Sequence, residues 1–181
     1  MPERLHRYPV TVAWTGNTGA GTASYRAYAR DHEVRVDGKT TILTSSDPAF
    51  RGDPARYNPE ELFVAAVSQC HSLWYLHLCA DNGITVLAYV DHAEGTMQED
   101  AAGSGAFTRV ALRPEITLAP GADAALADRL HHEAHAMCFI ARSISVPVEI
   151  SATYRHADAP DVAPSSLAER SPFPSPPRTT A

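Results

Sequence analysis

At 181 residues, 44% hydrophobic and 20% charged, the chain has the apolar content for one substantial core and one globular domain. A formal net charge of −6 offers no basic stripe to neutralise phosphates, which excludes nucleic-acid or anionic-membrane binding as the main role. No apolar run approaches the roughly 18 residues of a membrane span, and the N-terminus carries no segment of signal-peptide type, so the expected location is cytoplasmic.

Tyr8 to Trp14 alternates, with Val10, Val12 and Trp14 on one side, and predicts a half-buried strand. Gly16 to Gly21 supplies a turn, and a second strand is expected over Thr22 to Tyr28. His32–Val36 and Lys39–Thr44, joined through Asp37-Gly38, predict a hairpin. Ser45 to Tyr57 holds two Asp-Pro pairs and Gly52 and reads as a loop.

The stretch from Arg56 to Asp81 predicts a long helix. Asn58 can cap it, Pro59 suits its first position, Glu61 stands three residues after the cap, and Asn82-Gly83 ends it. Phe63, Ala66, Val67, Cys70, Leu73, Trp74 and His77 recur at three- and four-residue steps, which puts Cys70 on the expected apolar stripe. Strands follow over Ile84–Asp91 and Phe107–Leu118 with a loose Glu99–Gly105 turn between them. A second helix is expected from Ala124 to about Met137, and a last strand over Val146–Tyr154.

The order is four strands, helix, two strands, helix, strand, an α+β layout. One domain is expected over residues 1–156. The Pro/Ser/Ala-rich tail, 157–181, cannot bury enough apolar surface to offset its ordering entropy and is expected to be mobile or draped on the surface.

Three cysteines make no disulfide framework, and any one of them can be a small buried hydrophobe. Cys70 and Cys138 lie on two helices that must pack together. If they face each other, the pair can meet an oxidant and then close a disulfide. Cys79 is nine positions from Cys70, about 13 Å along a helix, and is a poor partner for it. Helical burial raises a thiol pKa, so cationic help is needed; Arg51 and Arg56 are the nearest candidates, with Arg26 and Arg30 behind them.

Asn58-Pro-Glu-Glu-Leu-Phe-Val-Ala-Ala-Val-Ser-Gln-Cys70, with Ala134-His-Ala-Met-Cys138 ahead of the final strand, resembles the superfamily of OsmC and Ohr proteins. Those are thiol-dependent organic hydroperoxide reductases. The likeness spans about Tyr8 to Tyr154, and the Asn-Pro-Glu-Glu-Leu segment before the helical cysteine is its most specific part. It implies antiparallel sheets packed around two central helices in an intertwined homodimer, with sites at the interface. Cys70 then resembles the peroxidatic cysteine, Cys138 the resolving one, and Glu60 the glutamate that pairs with a catalytic arginine. Some members take that arginine from a glycine-rich loop, but Gly16 to Gly21 contains none; in others it precedes the Asn-Pro-Glu segment, which points to Arg51.

The resemblance implies an organic hydroperoxide as substrate and an external dithiol, typically on a lipoylated protein, as reductant, with no cofactor. Phe63, Leu73, Trp74 and Phe139 are the expected apolar pocket. Glu60 and Cys70 are ten residues apart, about 15 Å on an unbroken helix, so the glutamate must reach the thiol across a break or from a second subunit. Two other readings compete. His131, His135 and Cys138 fall at i, i+4 and i+7, with His71 beside Cys70, a nitrogen–sulfur set that could take zinc, although no Cys-x-x-Cys pair supports it. The same fold could also serve as a non-catalytic small-molecule-binding stress protein.

Overall fold

The structure, a computed structural model, describes residues 4–158; the expected tail lies, from residue 159 on, outside the described residues. It opens with an antiparallel sheet of β1 (Thr11–Trp14), β2 (His32–Arg35) and β3 (Ile42–Thr44), in which Val12 stands opposite Val34 and Val34 opposite Ile42. Gly38, at φ 75°, takes the left-handed position in the reversal between β2 and β3.

The strand expected over Thr22–Tyr28 does not form. Arg30 is buried, and its guanidinium donates to the carbonyls of Tyr28 and Tyr25 at 2.6 and 2.8 Å. It also lies 4.1 and 4.2 Å from those two ring centroids. The segment therefore curls around a cation, and carbonyls aimed at one point cannot form a ladder. Three strands, not four, precede the long helix.

That helix, α1 (Pro59–Asp81), begins with a reciprocal cap. Asn58 Oδ1 accepts the Glu61 N–H at 2.8 Å, and Glu61 Oε2 accepts the Asn58 N–H at 3.1 Å. It buries Val67, His71, Tyr75 and Cys79, a four-residue progression. The expected stripe through Cys70 and Leu73 is therefore displaced by one position. Cys70 is half-buried at the edge and Leu73 is 62% exposed. Hydrophobicity could not fix the face, because α1 is apolar around most of its circumference and the inward face includes a histidine.

The strands expected over 84–91, 107–118 and 146–154 become six, and the missed β5 is one of them. They are β4 (Val86–Asp91), β5 (Glu94–Glu99), β6 (Gly105–Leu112), β7 (Pro114–Leu118), β8 (Val148–Ile150) and β9 (Thr153–His156). β4 pairs antiparallel with β7, which runs parallel to β9; β5 pairs antiparallel with β6, which runs parallel to β8. The breaks at 92–93, at Arg113 and at 151–152 lie side by side. Bonds bridge them: Asp91 Oδ1 accepts the Arg113 N–H at 2.7 Å, and the Ser151 N–H donates to Leu112 O at 2.9 Å. Three long strands are thus creased along one line.

The crease divides the core. On the β4, β7 and β9 side, Tyr75 and Cys79 of α1 meet Ile116, Leu118 and the inward residues Ala127, Leu130 and Ala134 of α2 (Ala124–Met137). On the β5, β6 and β8 side, Val67 packs with Val110 and Leu112, joined by Phe63 and Val64. α1 spans both halves, so its middle, where Cys70 lies, falls at their junction.

Candidate active site

Asp123 starts α2 by accepting the Leu126 N–H at 2.9 Å, and Cys138 ends it, turning to extended backbone at ψ 110°. The turn brings the buried Cys138 thiol beside Cys70. Its sulfur accepts the Ala141 N–H at 3.4 Å. Both thiols are free. Burial, and secondarily the neighbouring Cys70, push the Cys138 thiol up to about 11, while the Ala141 N–H pulls the other way. Cys138 therefore keeps its proton at neutral pH, and the less buried Cys70 is the sulfur within reach of solvent. Cys79 is buried beside Tyr75, and burial raises its thiol too.

Of the four residues expected to line a pocket, three lie next to the thiols along the chain. Leu73 and Trp74 follow Cys70 by one helical turn, and Phe139 follows Cys138. Trp74 and Phe139 meet edge to face with centroids 5.6 Å apart. Phe63 goes elsewhere, packed at a tilt against Phe107 with ring centroids 4.7 Å apart in the second half of the core. Phe139 is 66% exposed, so this apolar border is open on its outer side.

Arg51 closes a 3-10 turn, Pro48–Phe50, in the left-handed conformation at φ 69°. It is exposed and 5.9 Å from the Tyr25 ring, and no ion pair joins it to Glu60. Glu60 lies in the first turn of α1 on the wall of a groove of about 740 Å³ between α1 and β4–β5. Its Oε2 is buried without a hydrogen-bond partner. α1 is unbroken from Glu60 to Cys70, about 15 Å of rise. Arg56 reaches Asp31 at 3.5 Å and Asp53 at 3.4 Å and keeps Nη1 buried without a partner. Arg26 is exposed.

The feature that sequence reasoning missed is a buried aromatic column. His71 Nε2 and His131 Nδ1 are 2.8 Å apart across the helix pair. The two rings are parallel, and Tyr75 stacks on His131 at 3.9 Å. Burial first, and the neighbouring histidines second, lower His71 to about 4 and His131 to about 3. Both are neutral at pH 7, one donating to the other. The available signal was positional, since His71 falls in step with Val67, Tyr75 and Cys79.

The competing zinc set is not assembled. His131 is engaged with His71, Cys138 lies beyond the helix facing Cys70, and among the described residues no three metal-binding side chains come together.

No curated protein matches the chain. Among solved structures, an OsmC-like protein of unknown function from Vibrio cholerae is 30% identical, with a TM-score of 0.74 over 82% of this chain and 100% of that one. An organic hydroperoxide resistance protein OsmC from Legionella pneumophila is 18% identical, with a TM-score of 0.60 over 84% and 98% of the two chains. An organic hydroperoxide resistance protein from Elizabethkingia anophelis, solved with thiocyanate bound, is 20% identical, with a TM-score of 0.59 over 84% and 99%. The family of OsmC-like proteins matches residues 52–152, which include both helices and both facing thiols. The chain belongs to the OsmC-like family of the OsmC/Ohr superfamily.

Proposed function

We propose that this protein is a thiol peroxidase that reduces organic hydroperoxides to alcohols. The observation that carries the reading is the juxtaposition of a half-buried Cys70 and a buried, protonated Cys138. The Cys70 thiolate attacks the distal peroxide oxygen; an S–O bond forms, the O–O bond breaks, and the alkoxide takes a proton to become the alcohol. Cys138 then attacks the sulfenic sulfur, the S–S bond forms, and hydroxide leaves with the Cys138 proton as water. An external dithiol, such as the lipoyl group of a lipoylated protein, returns two electrons and both protons.

Leu73, Trp74 and Phe139 would receive the alkyl part of the substrate. Arg51 and Glu60 are assigned to holding the thiolate and the peroxide. Glu60 stands too far along α1 to act on Cys70 of the same chain, so in this reading it serves, with Arg51, the thiol of a second copy in a homodimer. The exposed apolar residues Val10, Val12, Leu43, Leu73 and Phe139 support such a contact. No described helix is long and apolar enough to cross a membrane.

The test is turnover of cumene hydroperoxide with a dithiol. Wild-type protein consumes the peroxide and Cys70→Ser does not. Retained turnover in that variant sinks the proposal, and a wild-type protein without turnover favours a binding role for the same fold.

A further inference from the structure

Two buried histidines join the helices that carry the thiols. His71 of α1 is 1% exposed and His131 of α2 is 5% exposed, with Nε2 of the first 2.8 Å from Nδ1 of the second. Tyr75, one turn after His71, stacks on the face of the His131 ring at 3.9 Å. His131 is therefore gripped on its edge and on its face by two residues of one helix. With Cys70 and Cys138 read as a redox pair, we propose that His71 and His131 are its positioning residues: their hydrogen bond fixes how α1 is turned against α2, and so sets the approach of the two thiols.

Apolar packing does not fix that rotation. α1 is apolar around most of its circumference, and a turn of about 100°, one residue, would exchange Cys70 and His71 as the inward side chain. The bond opposes the exchange, because a hydrogen bond is directional where apolar contact is not. On the other helix, Cys138 follows His131 by seven residues, about 20° short of two full turns, so the chain leaves α2 on the face that carries the bond. One contact thus sets the position of both sulfurs.

Stability does not account for the pair. His71 Nδ1 and His131 Nε2 find no partner among the described residues, and burying each costs free energy that an apolar pair of similar shape would not incur. Burial first and the neighbouring histidines second keep both rings neutral at pH 7, so one donates and the other accepts in a single bond. What a buried polar contact of this kind supplies is one register in place of several.

The test is the equilibrium of the full-length protein with glutathione, in the absence of peroxide. The S–S bond of glutathione disulfide opens, taking two electrons and the protons of Cys70 and Cys138, and an S–S bond forms between the two cysteines. Mass spectrometry after alkylation counts the closed pair. His71→Phe keeps a ring in the column without the bond, His131→Leu breaks the bond from α2, and His71→Gln keeps a polar group close to the place of Nε2. The equilibrium constant is expected to fall at least tenfold in His71→Phe and His131→Leu, with the mixed disulfide of Cys70 and glutathione accumulating, and to stay within threefold of wild type in His71→Gln. Asn58→Ala, which loosens the far end of α1, should leave it unchanged. An unchanged constant in either bond-breaking variant that folds, an equal fall in His71→Gln or Asn58→Ala, or a wild type that never closes the pair overturns the proposal. Peroxide turnover is measured separately: its absence while these equilibria behave as expected sinks the peroxidase reading and leaves the positioning role standing.

Discussion

Cys138 meets Cys70 as a buried, protonated thiol against a half-exposed one, and the two differ because one ends a helix in the core while the other sits at the edge of a buried stripe. In the proposed cycle this difference in burial would set the order of chemistry, with the less buried sulfur meeting the oxidant and the inner one attacking second.

This order makes disulfide closure depend on pH. With Cys138 pushed up to about 11 by burial, its thiolate fraction grows with pH throughout the neutral range. The closure rate after one equivalent of cumene hydroperoxide is expected to rise about tenfold per pH unit between pH 6 and 9. Stopped-flow fluorescence of Trp74, which touches Phe139 next to Cys138, can follow it. Thiol titration should show two thiols lost per chain in the wild type and one in Cys138→Ser, whose sulfenic acid dimedone would trap. Closure that ignores pH would contradict the assignment of Cys138.

The His71–His131 pair makes stability pH-dependent in the acid range. Both histidines titrate lower in the folded protein, about 4 and about 3, than the usual 6.5 of the unfolded chain. The unfolded state then binds more protons, so stability is full above pH 6.5 and is lost progressively as pH falls toward the folded values. Asp91 opposes the loss by favouring charge on His71, and His135 adds to it. Urea denaturation at pH 7 and pH 5 should differ by about 1–2 kcal/mol per histidine. A His71→Phe variant should flatten that slope. An unchanged slope would mean that the pair is not the source.

Asn58→Ala removes the cap of α1 and leaves the Glu61 N–H without its acceptor at a residue that is 6% exposed. A loss of about 1 kcal/mol is expected in chemical denaturation. A neutral substitution would show that tertiary packing alone holds the first turn.

Asn58 was legible because a cap is a local device, written in residues three apart, and it marked where α1 begins, whereas α2 was read from its apolar periodicity. The strands were legible only where hydrophobicity alternates. β5 reads Glu-Gly-Thr-Met-Gln-Glu, mostly polar, and its partner β6 holds it by backbone bonds that no side-chain pattern announces. The crease at Arg113 was hidden for a related reason, since both sides of it are apolar. In the site, the thiol pair followed from motif and helix count. The facing of α1 did not, because choosing between Cys70 and His71 as the inward residue needs the second helix, where His131 supplies the partner that makes a buried histidine tolerable.

Arg51 and Arg56 separate by environment. Arg51 is exposed and forms no ion pair among the described residues, so Arg51→Ala should leave the melting temperature unchanged while lowering kcat/KM at least tenfold if it serves the peroxide. Arg56 bridges Asp31 and Asp53, so Arg56→Ala should lower the melting temperature. Full activity in Arg51→Ala, with a loss in Arg56→Ala that exceeds its instability, would transfer the role to Arg56.

The last expectation concerns the second copy. Leu73 stands 62% exposed one turn from Cys70, with Phe139 equally bare, an arrangement costly in water unless another surface covers it. Glu60 lies about 15 Å along the same unbroken helix, too far to touch its own Cys70. A neighbouring copy would cover the apolar residues and deliver Glu60 to the thiol at once. Leu73→Asp introduces a charge at the proposed contact but not in the core of the chain, so the fold by circular dichroism should persist. Sedimentation should show dimers for the wild type and monomers for the variant, and peroxide turnover should fall with dimer content. A monomeric wild type with full turnover would refute the shared site.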